Sequence, residues 1–116
     1  MPKETDNQKE KRSQAIQEGY KTAAKVPLET ARICEKIFEI ARIVAKKGNQ
    51  NSITDSAVSA LMAQVGVESA ILNVKINLGS IKDEKFVNRI STEINKLKNS
   101  ADRKTSEILN IVNSKI

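Results

Sequence analysis

The stretch Ser52–Leu78, SITDSAVSALMAQVGVESAILNVKINL, reads as one long helix and decides the fold. At about 100° per residue, Asp55, Ser59, Met62, Gly66, Ser69, Asn73 and Asn77 share a narrow sector, so a mostly polar stripe runs the length of the segment. Val58, Leu61, Val65, Leu72 and Ile76, with Val67, Ala70, Ile71, Val74 and Leu78, fill the sectors beside it. An element apolar on both flanks is expected to be the long, buried central helix, packed against neighbours on either side. A buried polar group is costly unless paired, roughly 1–3 kcal/mol on mutational scales, so the stripe needs partners. Asp55 has two readings here: a site carboxylate, or a helix-opening residue favoured by the positive end of the helix dipole.

Around this element the chain is organised as helices. Ser52 is expected to cap the central helix, with Asp55 at the third helical position completing a capping-box-like Ser-x-x-Asp. Upstream, Leu28, Ala31, Cys34, Ile37, Phe38, Ala41, Val44 and Ala45 recur at helical spacing, with Ile33 and Ile40 widening the apolar face. Lys46-Lys47-Gly48 then gives a stop, cations in the last turn and a glycine suited to a left-handed cap. Val26-Pro27 predicts a break, because the residue before proline avoids the helical region while proline suits a first helical turn. The opening stretch has Pro2 and Thr5 at its start and a thin apolar stripe at Ala15, Ile16, Gly19, Tyr20, Ala23 and Ala24, which predicts a separate surface helix. The charged run Lys9–Arg12 fits a solvated face.

Downstream, Gly79 closes the central helix, and Ser80-Ile81-Lys82-Asp83 starts a second Ser-x-x-Asp. Val87, Ile90, Ile94, Leu97, Ala101, Ile108 and Ile111 then follow at three- and four-residue steps, a heptad-like seam interrupted at Lys104-Thr105 and suited to a coiled-coil contact with a neighbouring subunit. No strand pattern is present. The expectation is an all-α fold: residues 1–116 as a single domain, an up-and-down bundle of about four helices near Thr5–Lys25, Pro27–Lys47, Ser52–Leu78 and Lys82–Asn113, completed by another chain or segment.

Composition narrows the chemistry. The 116 residues contain no histidine, which excludes imidazole catalysis and makes a zinc site very unfavourable. One cysteine, Cys34, excludes an intrachain disulfide and fits an intracellular, cytoplasmic chain. The absence of a run of 18 apolar residues and of a basic-then-apolar leader speaks against a membrane span or export. Lys and Arg total 20 against 14 Asp and Glu, a formal charge of +6, which permits an anionic partner. These cations are spread along every segment rather than gathered, and the aromatic residues are only Tyr20, Phe38 and Phe86, so nucleic acid is not the expected partner.

The segments KVPLETA (25–31), KKGNQNSITDSAVSALMA (46–63) and ESAILNVKINLGSIKDEKFV (68–87) resemble, in order and collinearly, the cyclodeaminase/cyclohydrolase family of folate enzymes, which includes the cyclodeaminase half of formiminotransferase-cyclodeaminase. The resemblance runs from about Pro2 to about Val87. It implies a multihelical, dimer-based oligomer that acts on a one-carbon-substituted tetrahydrofolate without a cofactor. Such enzymes either close 5-formimino-tetrahydrofolate to the 5,10-methenyl form with loss of ammonia or open the methenyl form with water. The positions that match the family pattern are Asn51, Ser52, Asp55, Asn73, Asn77 and Lys75, the last where arginine is common. Asp55 is then the expected proton-transfer group and the others the expected substrate contacts. The same resemblance places a glycine-rich segment and further helices before Met1-Pro2-Lys3, so this chain corresponds to the C-terminal half of the domain. A non-catalytic helical interaction module is the competing function, and it would have no need of Asp55, Asn73 and Asn77 on one side.

Overall fold

A computed structural model describes residues 5–116, and all its secondary structure is helical: α1 (Asp6–Lys47), α2 (Ile53–Leu78) and α3 (Glu84–Lys115). Pro2 lies outside the described residues. α1 opens with a capping box, Thr5 Oγ1 accepting from the Gln8 amide and Gln8 Oε1 from the Thr5 amide. α2 returns antiparallel to α1, and α3 runs parallel to α1 across the pair. Ion pairs mark that register, joining Lys21 to Asp83 at 2.9 Å, Arg32 to Glu93 at 2.6 Å, Glu35 to Lys104 at 2.7 Å and Arg42 to Glu107 at 2.7 Å. At the far end Lys115 Nζ donates to the carbonyls of Ala45 and Lys46, closing the C-terminus of α1. The molecule is a rod 71 Å long, 24 Å wide and 15 Å deep.

Three helices replace the four expected, because α1 passes through Pro27 without interruption. A proline inside a helix lacks the N–H that would bond the carbonyl four residues back, a loss of roughly 3 kcal/mol or more with its steric clash. Here the carbonyl left without that N–H is Ala23 O, and it accepts from Asn77 Nδ2 of α2 at 3.3 Å. Buried Ala24 and Leu28 on either side of Pro27 hold the same stretch against the core.

Small residues bring α1 and α2 together: Ala31, Ala41 and Ala45 face Ala60, Ala63 and Ala70, all buried. Gly66 belongs to the same seam, since a Cβ there would lie 2.7 Å from Cys34 Sγ. Larger side chains fill the space under α3, where Phe38, Leu28 and Val67 meet Phe86, Ile90, Ile94 and Ile108. The heptad-like seam of α3 is therefore spent inside the chain, not on a coiled-coil partner. Thr105 of its polar interruption is buried and Lys104 reaches Glu35 of α1.

The expected caps are also revised. Gly48 is extended (φ −69°, ψ 157°), and what excludes a side chain there is the Val44 carbonyl and Ser52 Oγ lying against its Cα. Ser52 does not cap α2; its hydroxyl donates to Asn49 O at 3.1 Å, and Asp55 completes no capping box. At α3 the cap is Asp83, which accepts from the Phe86 amide at 3.1 Å, while Ser80 stays in the preceding turn.

α2 is buried along one flank only. Val67, Ala70, Ile71, Val74 and Leu78 are covered, but Met62, Leu72 and Ile76 are 69%, 67% and 75% exposed, and Val58, Leu61 and Val65 are exposed with them. On α1, Val26, Ile33, Ile37 and Ile40 recur at helical spacing on the side turned away from α3 and are exposed too. The two helices thus present one broad apolar back face. By length and composition alone α2 could cross a membrane. Its packing on α1 and α3, with Gln64 bonded to Asp102 and Glu68 to Lys98, makes it the core helix of the hairpin.

Candidate functional site

On the back face, the first turns of α2 and the last turns of α1 enclose a groove of about 210 Å³. Ile37, Ile40, Ala41 and Val44 form its apolar wall; Ser52, Asp55, Ser56 and Ser59 form the other. This wall exists because the stripe residues Ser52, Asp55 and Ser59 recur at three- and four-residue steps on one side of the helix. Ser56 is turned inward, its hydroxyl bonded to the Ile53 carbonyl. Asp55 is exposed and makes no hydrogen bond or ion pair among the described residues. A free carboxylate beside an apolar wall can accept or deliver a proton to a ligand seated there. Asn51 lies in the turn at the groove's end, exposed, with its amide donating to Asn49 Oδ1 at 3.0 Å.

Asn73 and Asn77 share Asp55's azimuth but not its neighbourhood. Eighteen residues at 1.5 Å each put Asn73 about 27 Å further along α2. Asn73 is exposed. Asn77 is engaged in the seam, where Nδ2 donates to Ala23 O at 3.3 Å and to Asn73 O at 2.9 Å. Both amide hydrogens are thereby spent, leaving Oδ1 as an acceptor. Lys75 lies on the other side of α2, with Glu68, Ile71, Leu72 and Lys98 around a separate hollow of about 270 Å³. One chain therefore groups Ser52 and Asp55, with Asn51 nearby, and leaves Asn73, Asn77 and Lys75 apart. Among the described residues no group of His, Cys, Asp and Glu could hold a metal ion.

Sequence reasoning missed a second constellation. At the opposite end of the rod Lys21, Lys25 and Arg89 surround the ring of Phe86, at 5.4, 5.7 and 5.3 Å from its centroid. Its components come from α1 and α3, more than sixty residues apart, so no local spacing announces it.

The sequence profile described as Formiminotransferase-cyclodeaminase matches residues 1–96. The chain belongs to the formiminotransferase-cyclodeaminase family. Its relatives include a methenyltetrahydrofolate cyclohydrolase of Methylorubrum extorquens, 40% identical over all 116 residues of this chain. The formimidoyltransferase-cyclodeaminases of Gallus gallus and Rattus norvegicus are 34% and 30% identical over 94% of it. The chain spans 56% of the cyclohydrolase and 20% of each of the two formimidoyltransferase-cyclodeaminases. Within the family's matched region fall both the Asp55 groove and the Asn73–Asn77 end of α2.

Proposed function

We propose that this family member works in folate one-carbon chemistry, as one wall of a site that converts 5-formimino-tetrahydrofolate to the 5,10-methenyl form or hydrolyses the methenyl form. The supporting observation is the groove, which sets one unpaired carboxylate, Asp55, between hydroxyls and an apolar wall in a chain without histidine. Both reactions pass through a tetrahedral carbon between N5 and N10. In ring closure N10 attacks the formimino carbon, the C–N bond to the amino group breaks, and the N10 proton leaves with ammonia. In hydrolysis water adds to the methenyl carbon, its proton passes to N5, and the C–N5 bond breaks. Asp55 is the shuttle in either direction, with Ser52 and Asn51 at the groove mouth. Asn73 presents the free amide for substrate recognition, while Asn77 offers only its oxygen.

Asp55 and Asn73 of one chain, about 27 Å apart along the helix, cannot address the same carbon. The reading therefore includes a homo-oligomer in which a second copy covers the back face. Asp55 and Asn77 are each eleven residues from Gly66, and Ser59 and Asn73 each seven, so α2 helices paired antiparallel about that point set Asp55 of one copy beside the amides of the other. The face is large enough: two helices about 39 Å long and 8–10 Å apart offer an area comparable to the roughly 800 Å² per partner of a specific interface.

Two measurements test this. Turnover of each folate by the chain should fall about 10²–10⁴-fold in Asp55→Asn, with folate affinity nearly unchanged. Unaltered activity per folded molecule would leave Asp55 as a helix-opening carboxylate. Light scattering should return a dimer or larger species at micromolar concentration and a monomer for Met62→Glu. A well-folded wild-type monomer would remove the second copy and leave the rest of the relatives' length as the cover.

A further inference from the structure

Near the end of α2, half-buried Asn77 carries two opposite chemistries on one side chain, an amide NH2 that donates and an oxygen that accepts. A free asparagine amide turns over at little cost and can offer a ligand either end. Asn77 is not free. Its Nδ2 donates to two backbone oxygens, Asn73 O of its own helix at 2.9 Å and Ala23 O of α1 at 3.3 Å. The reverse orientation would set Oδ1 against both of those oxygens, where no hydrogen bond can form. The two carbonyls differ in origin. Asn73 O stands four residues back in α2 and has the Asn77 backbone amide as its ordinary helical partner. Ala23 O has no such partner, because the residue four positions on is Pro27, which lacks the N–H and whose ring crowds that same carbonyl. Buried Ala24 and Leu28 hold this turn of α1 in place.

We propose that Pro27 is a positioning residue that acts through Asn77. By freeing the Ala23 carbonyl it fixes the Asn77 amide with Oδ1 turned to the ligand as an acceptor, and so selects an N–H-bearing edge of the bound folate. The proposal rests on the folate reading above. Two observations support it. Proline is costly inside a helix, and here it ends nothing, since α1 continues through it to Lys47; its local consequence is the carbonyl that Asn77 takes. Asn73, one turn away on α2, is exposed and its side chain makes no hydrogen bond among the described residues, so its amide keeps both ends free. The pair thereby divides the work of recognition: Asn77 is a fixed acceptor, and Asn73 adapts to donor or acceptor. With an N–H at residue 27, Ala23 O would be engaged within α1 and Asn77 would keep its contact to Asn73 O alone.

The test uses the full chain with 5-formyl-tetrahydrofolate, a stable folate, in the wild type, Pro27→Ala, Asn77→Ala and the double variant. Affinity is read by calorimetry, the thermal transition by circular dichroism, and the mobility of the Asn77 side-chain NH2 by NMR relaxation. In the wild type that NH2 should be as rigid as the α2 backbone, and in Pro27→Ala clearly more mobile. Pro27→Ala should raise the thermal transition yet weaken folate binding roughly 3–10-fold, the value of one oriented hydrogen bond. A proline with a purely structural role would not move the two in opposite senses. In the Asn77→Ala background, Pro27→Ala should leave the affinity unchanged. Equal NH2 mobility in the wild type and Pro27→Ala, unaltered affinity in Pro27→Ala, or a loss of affinity that persists without Asn77, overturns the positioning role. A wild type that binds no folate, while its Asn77 NH2 is rigid and loosened by Pro27→Ala, upholds the locked acceptor and sinks the folate reading.

Discussion

Pro27 and Asn77 should be thermodynamically coupled although 50 residues separate them. In the wild type Asn77 Nδ2 supplies the hydrogen bond that Pro27 cannot give to Ala23 O. Asn77→Ala removes it and leaves that exposed carbonyl to water, a loss of about 0.5–1.5 kcal/mol. In a Pro27→Ala background the new amide of residue 27 bonds Ala23 O in the ordinary helical way. There Asn77→Ala should cost about 1 kcal/mol less, and Pro27→Ala alone should raise stability by up to about 3 kcal/mol. For a chain of this size 1 kcal/mol moves Tm by roughly 4 °C. Thermal melts of the wild type, the two single variants and the double variant close the cycle. Equal costs of Asn77→Ala in both backgrounds would refute the rescue and return Asn77 to the role of a pure ligand contact.

Other outcomes follow from the same packing. Gly66→Ala should destabilise, because its Cβ would meet Cys34 Sγ at 2.7 Å; in a Cys34→Ala background it should stabilise by up to about 1 kcal/mol, the helix propensity of alanine over glycine, as read by urea unfolding. Glu93 is held below the ordinary glutamate range by the hydrogen bond from Arg32, and Asp83 and Asp102 below the aspartate range chiefly by Lys21 and Lys98. Because these folded values are depressed, their contribution is fully present above the unfolded values of 4.5 and 3.8 and is lost as pH falls through the folded ones. The urea midpoint should thus change little between pH 7 and about 5 and decline below that. Glu93→Gln should flatten the decline, and an unchanged slope would mean that the Arg32–Glu93 pair contributes nothing.

Much of the fold was legible because helical periodicity is local. Ser52–Leu78 as a helix needs only the recurrence of its own apolar residues, and α2 begins within one residue of the expected start. Pro27 was misread because its compensation is supplied by Asn77, on another helix. The Ser-x-x-Asp at Ser52 failed because the turn from Asn49 holds Ser52 in a helical conformation (φ −105°, ψ −9°), not the extended one from which an N-cap oxygen accepts from the first helix amides. The polar stripe was correctly a single azimuth, but azimuth says nothing of distance along the axis, and one rod-shaped chain cannot close Asp55 and Asn73 around one carbon. The cation cluster at Phe86 was invisible because parallel packing of α1 and α3 creates it, and in sequence its lysines look like ordinary surface charge.

The close approach at Gly66 also makes Cys34 a chemical gauge of the α1–α2 seam. Cys34 is only half-buried, but its sulfur sits where a neighbouring methyl would fit, so separation of the two helices increases its exposure to an alkylating reagent. The rise of its labelling rate from the native to the unfolded chain therefore reports how closely the seam is held, without any added probe. A ligand or second copy that braces the back face should slow that labelling.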